Sequence, residues 1–80
     1  MWASLVNYVL GQPPAEPVNV AVKIRYKSDD AQAVLHPGKD GALVCFDRPQ
    51  RAITPGQAAV FYQGDVLIGG GIIESEIPQN

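Results

Sequence analysis

Three observations predict an all-β chain, a small six-stranded antiparallel β-barrel. Val18 to Lys27 alternates without interruption, with Val18, Val20, Val22, Ile24 and Tyr26 on one face and Asn19, Ala21, Lys23, Arg25 and Lys27 on the other, the period of a half-buried strand. Turn chemistry recurs along the chain at the spacing of short strands, in Pro-Gly, Gly-Asp and Asp-Gly steps. The one stretch with helical spacing, Trp2 to Leu10, lacks a convincing helical cap and stop. Six or so short strands punctuated in this way suit a closed or nearly closed barrel, which also removes exposed sheet edges.

Taken in order, Trp2, Leu5, Val6, Val9 and Leu10 fall at helical spacing, yet Leu5 to Val9 is equally acceptable as a strand with Val6 and Tyr8 on one face. The missing cap and stop favour the strand. Residues 11–17 hold three prolines and a glycine and read as a loop. The strand from Val18 follows, its outer face carrying Lys23, Arg25 and Lys27 about 7 Å apart. Ser28-Asp29-Asp30 is a turn, Ala31 to His36 a short strand, and Pro37 to Gly41 a polar reversal. Ala42 to Phe46 is apolar throughout, as in a strand buried on both faces.

The stretch from Phe46 to Ile73 holds the tightest turns. Thr54-Pro55-Gly56-Gln57 has the composition of a type II turn, with proline presetting φ at its second position and glycine accepting positive φ at its third. Ala58 to Tyr62 and Val66 to Ile68 then form a hairpin around Gln63-Gly64-Asp65. Gly69, Gly70 and Gly71 interrupt that pattern, and glycines inside a strand mark a bulge, a barrel corner or a close backbone approach. Residues 74–80 read as a last strand edge and a tail.

The 80 residues make one domain, near the lower size at which a core suffices, and a single cysteine leaves no disulfide to help. Cys45, among Leu43, Val44 and Phe46, is expected to be a buried thiol in a reducing compartment. No apolar stretch approaches the length of a membrane span, and the start lacks a secretory pattern, so a soluble, cytoplasmic protein is expected. Six Lys plus Arg against eight Asp plus Glu give a formal charge of -2. That balance argues against nucleic-acid binding by counterion release from this domain alone.

Catalysis fails on inventory. His36 is the only histidine and precedes a Pro-Gly turn, while Cys45, in the most apolar run, is a poor partner for a dyad. One Cys, one His and the Asp29-Asp30 pair do not make a metal site. The three glycines lack the lysine, hydroxyl residue and helix of a phosphate loop.

The string Ala52-Ile53-Thr54-Pro55-Gly56-Gln57, then Val60 and Tyr62, then Gly69 to Ile73, resembles the end of the tRNA-specific 2-thiouridylases, the MnmA or TrmU family. Lys23-Ile24-Arg25-Tyr26 and Phe46-Asp47 stand upstream in the same order, and Asn7-Tyr8 matches a strand of that family, so the likeness runs from about residue 7 to residue 73. The resemblance implies a C-terminal β-barrel similar to the second domain of elongation factor Tu. It further implies an ATP-dependent parent enzyme that transfers sulfur to the wobble uridine of tRNA. The parent's catalytic and central domains and its sulfur-donor protein would be the other partners, and neither the nucleotide loop nor the sulfur-carrying cysteines would be in this chain. To the barrel itself the resemblance assigns tRNA contact through Arg25, Tyr26 and Gln57. Lys23, Lys27, Arg48 and Arg51 are further candidates on charge alone. Alternation places Arg25 outward and Tyr26 inward, so Tyr26 would reach RNA only from a strand end or through its hydroxyl. Two other roles fit the chain: a barrel that only packs on neighbouring domains, and the related barrel of a translation GTPase.

Overall fold

The computed structural model describes residues 1–24, 30–48 and 55–75. Six strands occupy most of them: β1 (Trp2–Tyr8), β2 (Val18–Ile24), β3 (Ala31–Pro37), β4 (Gly41–Phe46), β5 (Ala58–Gln63) and β6 (Val66–Ser75). They pair antiparallel in the order β1-β4-β3-β2-β5-β6, and β6 returns to β1 to close the barrel. Closure leaves no strand with an unpaired edge, the condition expected of so short a β chain.

Alternation decides what fills the barrel. Val20, Val22 and Ile24 of β2 point inward and are buried, as the sequence pattern requires. Ala33 and Leu35 of β3, Ala42 and Val44 of β4, and Ala59 and Phe61 of β5 join them, with Ala3 and Ile73 completing the ring. Phe61 is the largest side chain fully removed from water. Its registered partner on β6 is Gly69, and Ala59 faces Gly71, so the inner row of β6 contributes no side chain where β5 contributes the bulkiest.

The three glycines belong to one continuous strand, and close backbone approach is the reason for two of them. A Cβ on Gly69 would collide with the carbonyl oxygen of Asn7, and one on Gly71 would lie 2.8 Å from both the Ser4 carbonyl oxygen and Val6 Cγ2. Irregularity falls elsewhere. β1 carries an extra residue between Ser4, opposite Ile72, and Asn7, opposite Gly70. Leu5 sits in that bulge with φ of 50°, and its side chain is 76% exposed. A second shift in register lies between Phe61 and Tyr62.

Three expectations are corrected. β4 is buried on one face only: Ala42 and Val44 point inward, while Leu43 is half-buried and Cys45 lies on the outer surface opposite Val34. An apolar run of small and medium side chains reads the same in a strand with one face outward, because a barrel wall of this size tolerates Cys and Leu outside. β3 is one residue longer than expected: His36 is in the strand as read, opposite Leu43, and Pro37, expected in the reversal, continues it opposite Ala42. The run Leu5 to Val9 is strand, but it starts earlier, at Trp2, and Val9 turns out of it.

Candidate nucleic-acid interface

Gln57 stands where the chain enters β5. Gly56 has φ of 93°, the value that the third position of a type II turn requires. The amide N–H of Gly56 donates to the carbonyl of Ile73 at 2.7 Å, and the Ile73 N–H donates to the carbonyl of Gln57 at 2.8 Å. Those two bonds fix the Pro55-Gly56-Gln57 backbone to β6, so the half-buried Gln57 side chain departs from a rigid base. Its amide offers both a donor and an acceptor.

Lys23 is on the exposed face of β2, opposite Val60 of β5. Val60 follows Gln57 by three residues, about 10 Å of strand, and alternation gives Gln57 the phase of the buried Ala59 and Phe61 rather than that of Val60 and Lys23. Arg25, Tyr26, Lys27 and Arg51 lie outside the described residues, as does Thr54 of the turn. The described part of β2 runs to Ile24, opposite Ala59. Arg48, beyond β4, is exposed.

No group of three or more His, Cys, Asp or Glu side chains among the described residues could hold a metal ion. The ground given for setting aside a His36–Cys45 dyad changes, since the thiol is exposed. The register nevertheless sets the two residues a row apart, His36 against Leu43 and Cys45 against Val34. Such diagonal neighbours have backbones about 7–8 Å apart.

Sequence reasoning did not find the outer surface of β5, β6 and β1. Its rows are Ala58–Ile72–Ser4, Val60–Gly70–Asn7 and Tyr62–Leu67, none of them charged. The signal was present in β5 and β6, whose outward phase is free of charge up to Glu74 near the end of β6. Beyond this wall Tyr8 lines a groove with Val9, Leu10, Pro13, Val66 and Leu67, of about 470 Å³. The Tyr8 hydroxyl is buried without a hydrogen-bond partner among the described residues, and burial pushes its phenol above the usual range.

The described residues form a closed six-stranded antiparallel barrel. The model of the aminomethyltransferase beta-barrel domain family matches residues 1–73, and the chain belongs to that family. Within it, the chain is a C-terminal domain of the MnmA type. The tRNA-specific 2-thiouridylase MnmA of Acetivibrio thermocellus is 50% identical over 70 residues, covering 86% of this chain and 20% of that protein. The MnmA of Pasteurella multocida is 47% identical over 76 residues, with 94% and 20% covered. MnmA 1 of Caldanaerobacter subterraneus subsp. tengcongensis is 50% identical over 72 residues, with 89% and 20% covered. The chain thus spans about a fifth of the length of these relatives.

Proposed function

We propose that this barrel is the tRNA-contacting C-terminal domain of an ATP-dependent tRNA 2-thiouridylase, which transfers sulfur to the wobble uridine. The observation that carries the reading is the match of nearly the whole chain to proteins named for that activity. The barrel's own part is positioning. Gln57, held at a tight turn whose backbone is bonded to β6, presents an amide to a base edge or ribose, and cations of the β2 strand neutralise phosphate. Arg25 is the principal cation, since a planar guanidinium can fork onto phosphate or stack on a base. Lys23 lies on the exposed face of β2, Tyr26 adds a ring or hydroxyl, and Lys27 and Arg51 add charge. ATP, the sulfur-carrying cysteines and the sulfur donor are met by the rest of the parent protein. With a net charge of -2, this domain orients RNA that the larger protein helps to hold.

The test is made in the full-length enzyme. Arg25→Ala and Gln57→Ala are expected to weaken tRNA binding, and Arg25→Ala to lower the slope of log affinity against log salt by about 1 if it contacts a phosphate. Unchanged binding in both variants would remove the assigned role. Deleting the barrel is expected to impair thiolation and leave ATP binding intact.

A further inference from the structure

Among the described residues, Leu5 is the one residue other than glycine with positive φ. A leucine in the left-handed region brings its Cβ too close to the following carbonyl, and such outliers gather at ligand sites, where the strain serves a contact. The bulge gains no burial for this side chain, which is 76% exposed and lines a groove of about 530 Å³. Asn7 and Tyr8 of β1 line the same groove, with Lys39 and Asp40 from the turn between β3 and β4. That turn is seated firmly on β1. Its Gly38 N–H donates to the Gly41 carbonyl at 2.8 Å. A Cβ on Gly41 would collide with the Ala3 carbonyl oxygen, and one on Gly38 would lie 3.1 Å from the Trp2 ring. The backbone that carries Lys39 and Asp40 is thereby fixed beside Leu5, as a built site requires.

We propose that this groove receives one unpaired nucleotide of a bound RNA. Lys39 meets the phosphate, Asp40 accepts a hydrogen bond from a ribose hydroxyl, Asn7 reads the base edge with its amide, and Leu5 and Tyr8 supply the surface on which the base face lies. The mixture of groups selects this occupant. A lone anion has a use for Lys39 and none for Asp40, whereas a ribonucleotide carries a hydroxyl donor beside its phosphate. An extended peptide adds itself to an unpaired strand edge, and closure of the barrel leaves none among the described strands. Paired RNA keeps its base faces within the stack, so only a splayed base can meet Leu5. In the closed order of strands β1 stands three places from β2 in either direction, so this contact is separate from the exposed Lys23. The proposal rests on the reading of the barrel as an RNA-contacting domain and gives that domain a place for single-stranded RNA.

The test uses the full-length enzyme and tRNA. Leu5→Gly keeps the bulge, because glycine adopts positive φ without strain, and deletes only the side chain. It is expected to weaken tRNA binding about fivefold and to leave ATP binding unchanged. Lys39→Ala is expected to lower the slope of log affinity against log salt by about 1. Asp40→Ala removes a negative charge and would tighten binding to a polyanion if charge alone acted; it is expected instead to weaken it about threefold, the loss of one hydrogen bond. Ultraviolet irradiation of the complex is expected to join a nucleotide to the peptide that holds Leu5 and Tyr8 or to the one that holds Lys39. Gln32→Ala, on the exposed surface of β3, should alter none of these. Unchanged binding in Leu5→Gly and Lys39→Ala, tighter binding in Asp40→Ala, or no nucleotide on either peptide would each overturn the proposal. So would lost thiolation with tRNA binding intact, the mark of a protein occupant. Weaker binding in Arg25→Ala and Gln57→Ala but in no groove variant removes this site alone; weaker binding in the groove variants alone keeps this site and removes those two residues.

Discussion

The two halves of the barrel wall differ in what they show to water. On β2, β3 and β4 the outward positions include Asn19, Lys23, Gln32, His36 and Cys45, a mixed surface that water solvates readily. On β5, β6 and β1 the outward rows are Ala58, Val60, Tyr62, Leu67, Gly70, Ile72, Ser4 and Asn7, with Glu74 at the end of β6 beside Ser4. Both halves satisfy the same interior with the same alternation, so the core cannot be the cause of the difference. The contrast therefore concerns contacts outside the barrel, and the seam between the halves, where Lys23 meets Val60, is where the proposed RNA contacts begin.

The halves also differ inside, and that difference can be broken by mutation. Because β6 supplies glycines opposite Ala59 and Phe61, it has no side chain with which to fill a void left by Phe61. Phe61→Ala is expected to cost about 3–5 kcal/mol, enough to unfold most of a domain this small. Leu35→Ala, equally buried on β3, is expected to cost less, towards the lower end of about 2–5 kcal/mol, since branched neighbours surround it. Urea unfolding of both variants decides the matter. Equal losses would mean that the two halves close over voids alike.

A smaller effect sharpens the same contrast. Gly71→Ala places a methyl 2.8 Å from the Ser4 carbonyl oxygen, a backbone atom that cannot swing aside, and is expected to cost about 1–3 kcal/mol. Gly70→Ala points outward, its nearest neighbour being the Ala59 carbonyl oxygen at 3.0 Å, and is expected to cost less. If Gly70→Ala proved the more damaging in thermal unfolding, close approach to β1 would not be what β6 requires of its glycines.

The strand pattern was legible wherever one phase was buried and the other polar. β2 announced itself because Val20, Val22 and Ile24 alternate with Asn19 and Lys23, and the Pro55-Gly56 and Gly64-Asp65 turns followed from backbone chemistry. Where both phases were apolar, the sequence could not say which faced out. That ambiguity put Cys45 inside β4 and hid the uncharged wall of β5 and β6. The glycines were legible as a constraint but not as a location, because close approach, bulge and corner make the same demand on composition, and only the register to Ser4 and Asn7 distinguishes them. Of the candidate site, Gln57, Lys23 and Arg48 are among the described residues, Gln57 in the inward phase of β5 and Lys23 on the outer face of β2, whereas Arg25, Tyr26, Lys27 and Arg51 fall outside them.

The smallest expected effect lies at the seam where the two halves meet through β1 and β4. The Met1 ammonium donates to the Val44 carbonyl at 2.9 Å, and the Val44 N–H donates to the Met1 carbonyl at 2.7 Å, so the chain's first residue belongs to the ladder between the halves. Burial lowers the pKa of this amine below 8.0, with Cys45 opposing the shift. The folded state consequently releases the proton more readily than the unfolded one. Between the lowered value and 8.0 the unfolded chain binds more protons, so stability rises with pH through that window and is flat above it. In the 80-residue chain this appears as a shallow upward slope in unfolding free energy on the approach to pH 8. An acetylated amino terminus, or a peptide bond to preceding residues, carries no proton to lose and should abolish the slope. A slope that survives acetylation would belong to another group, and the β1–β4 seam would then not sense the charge at the start of the chain.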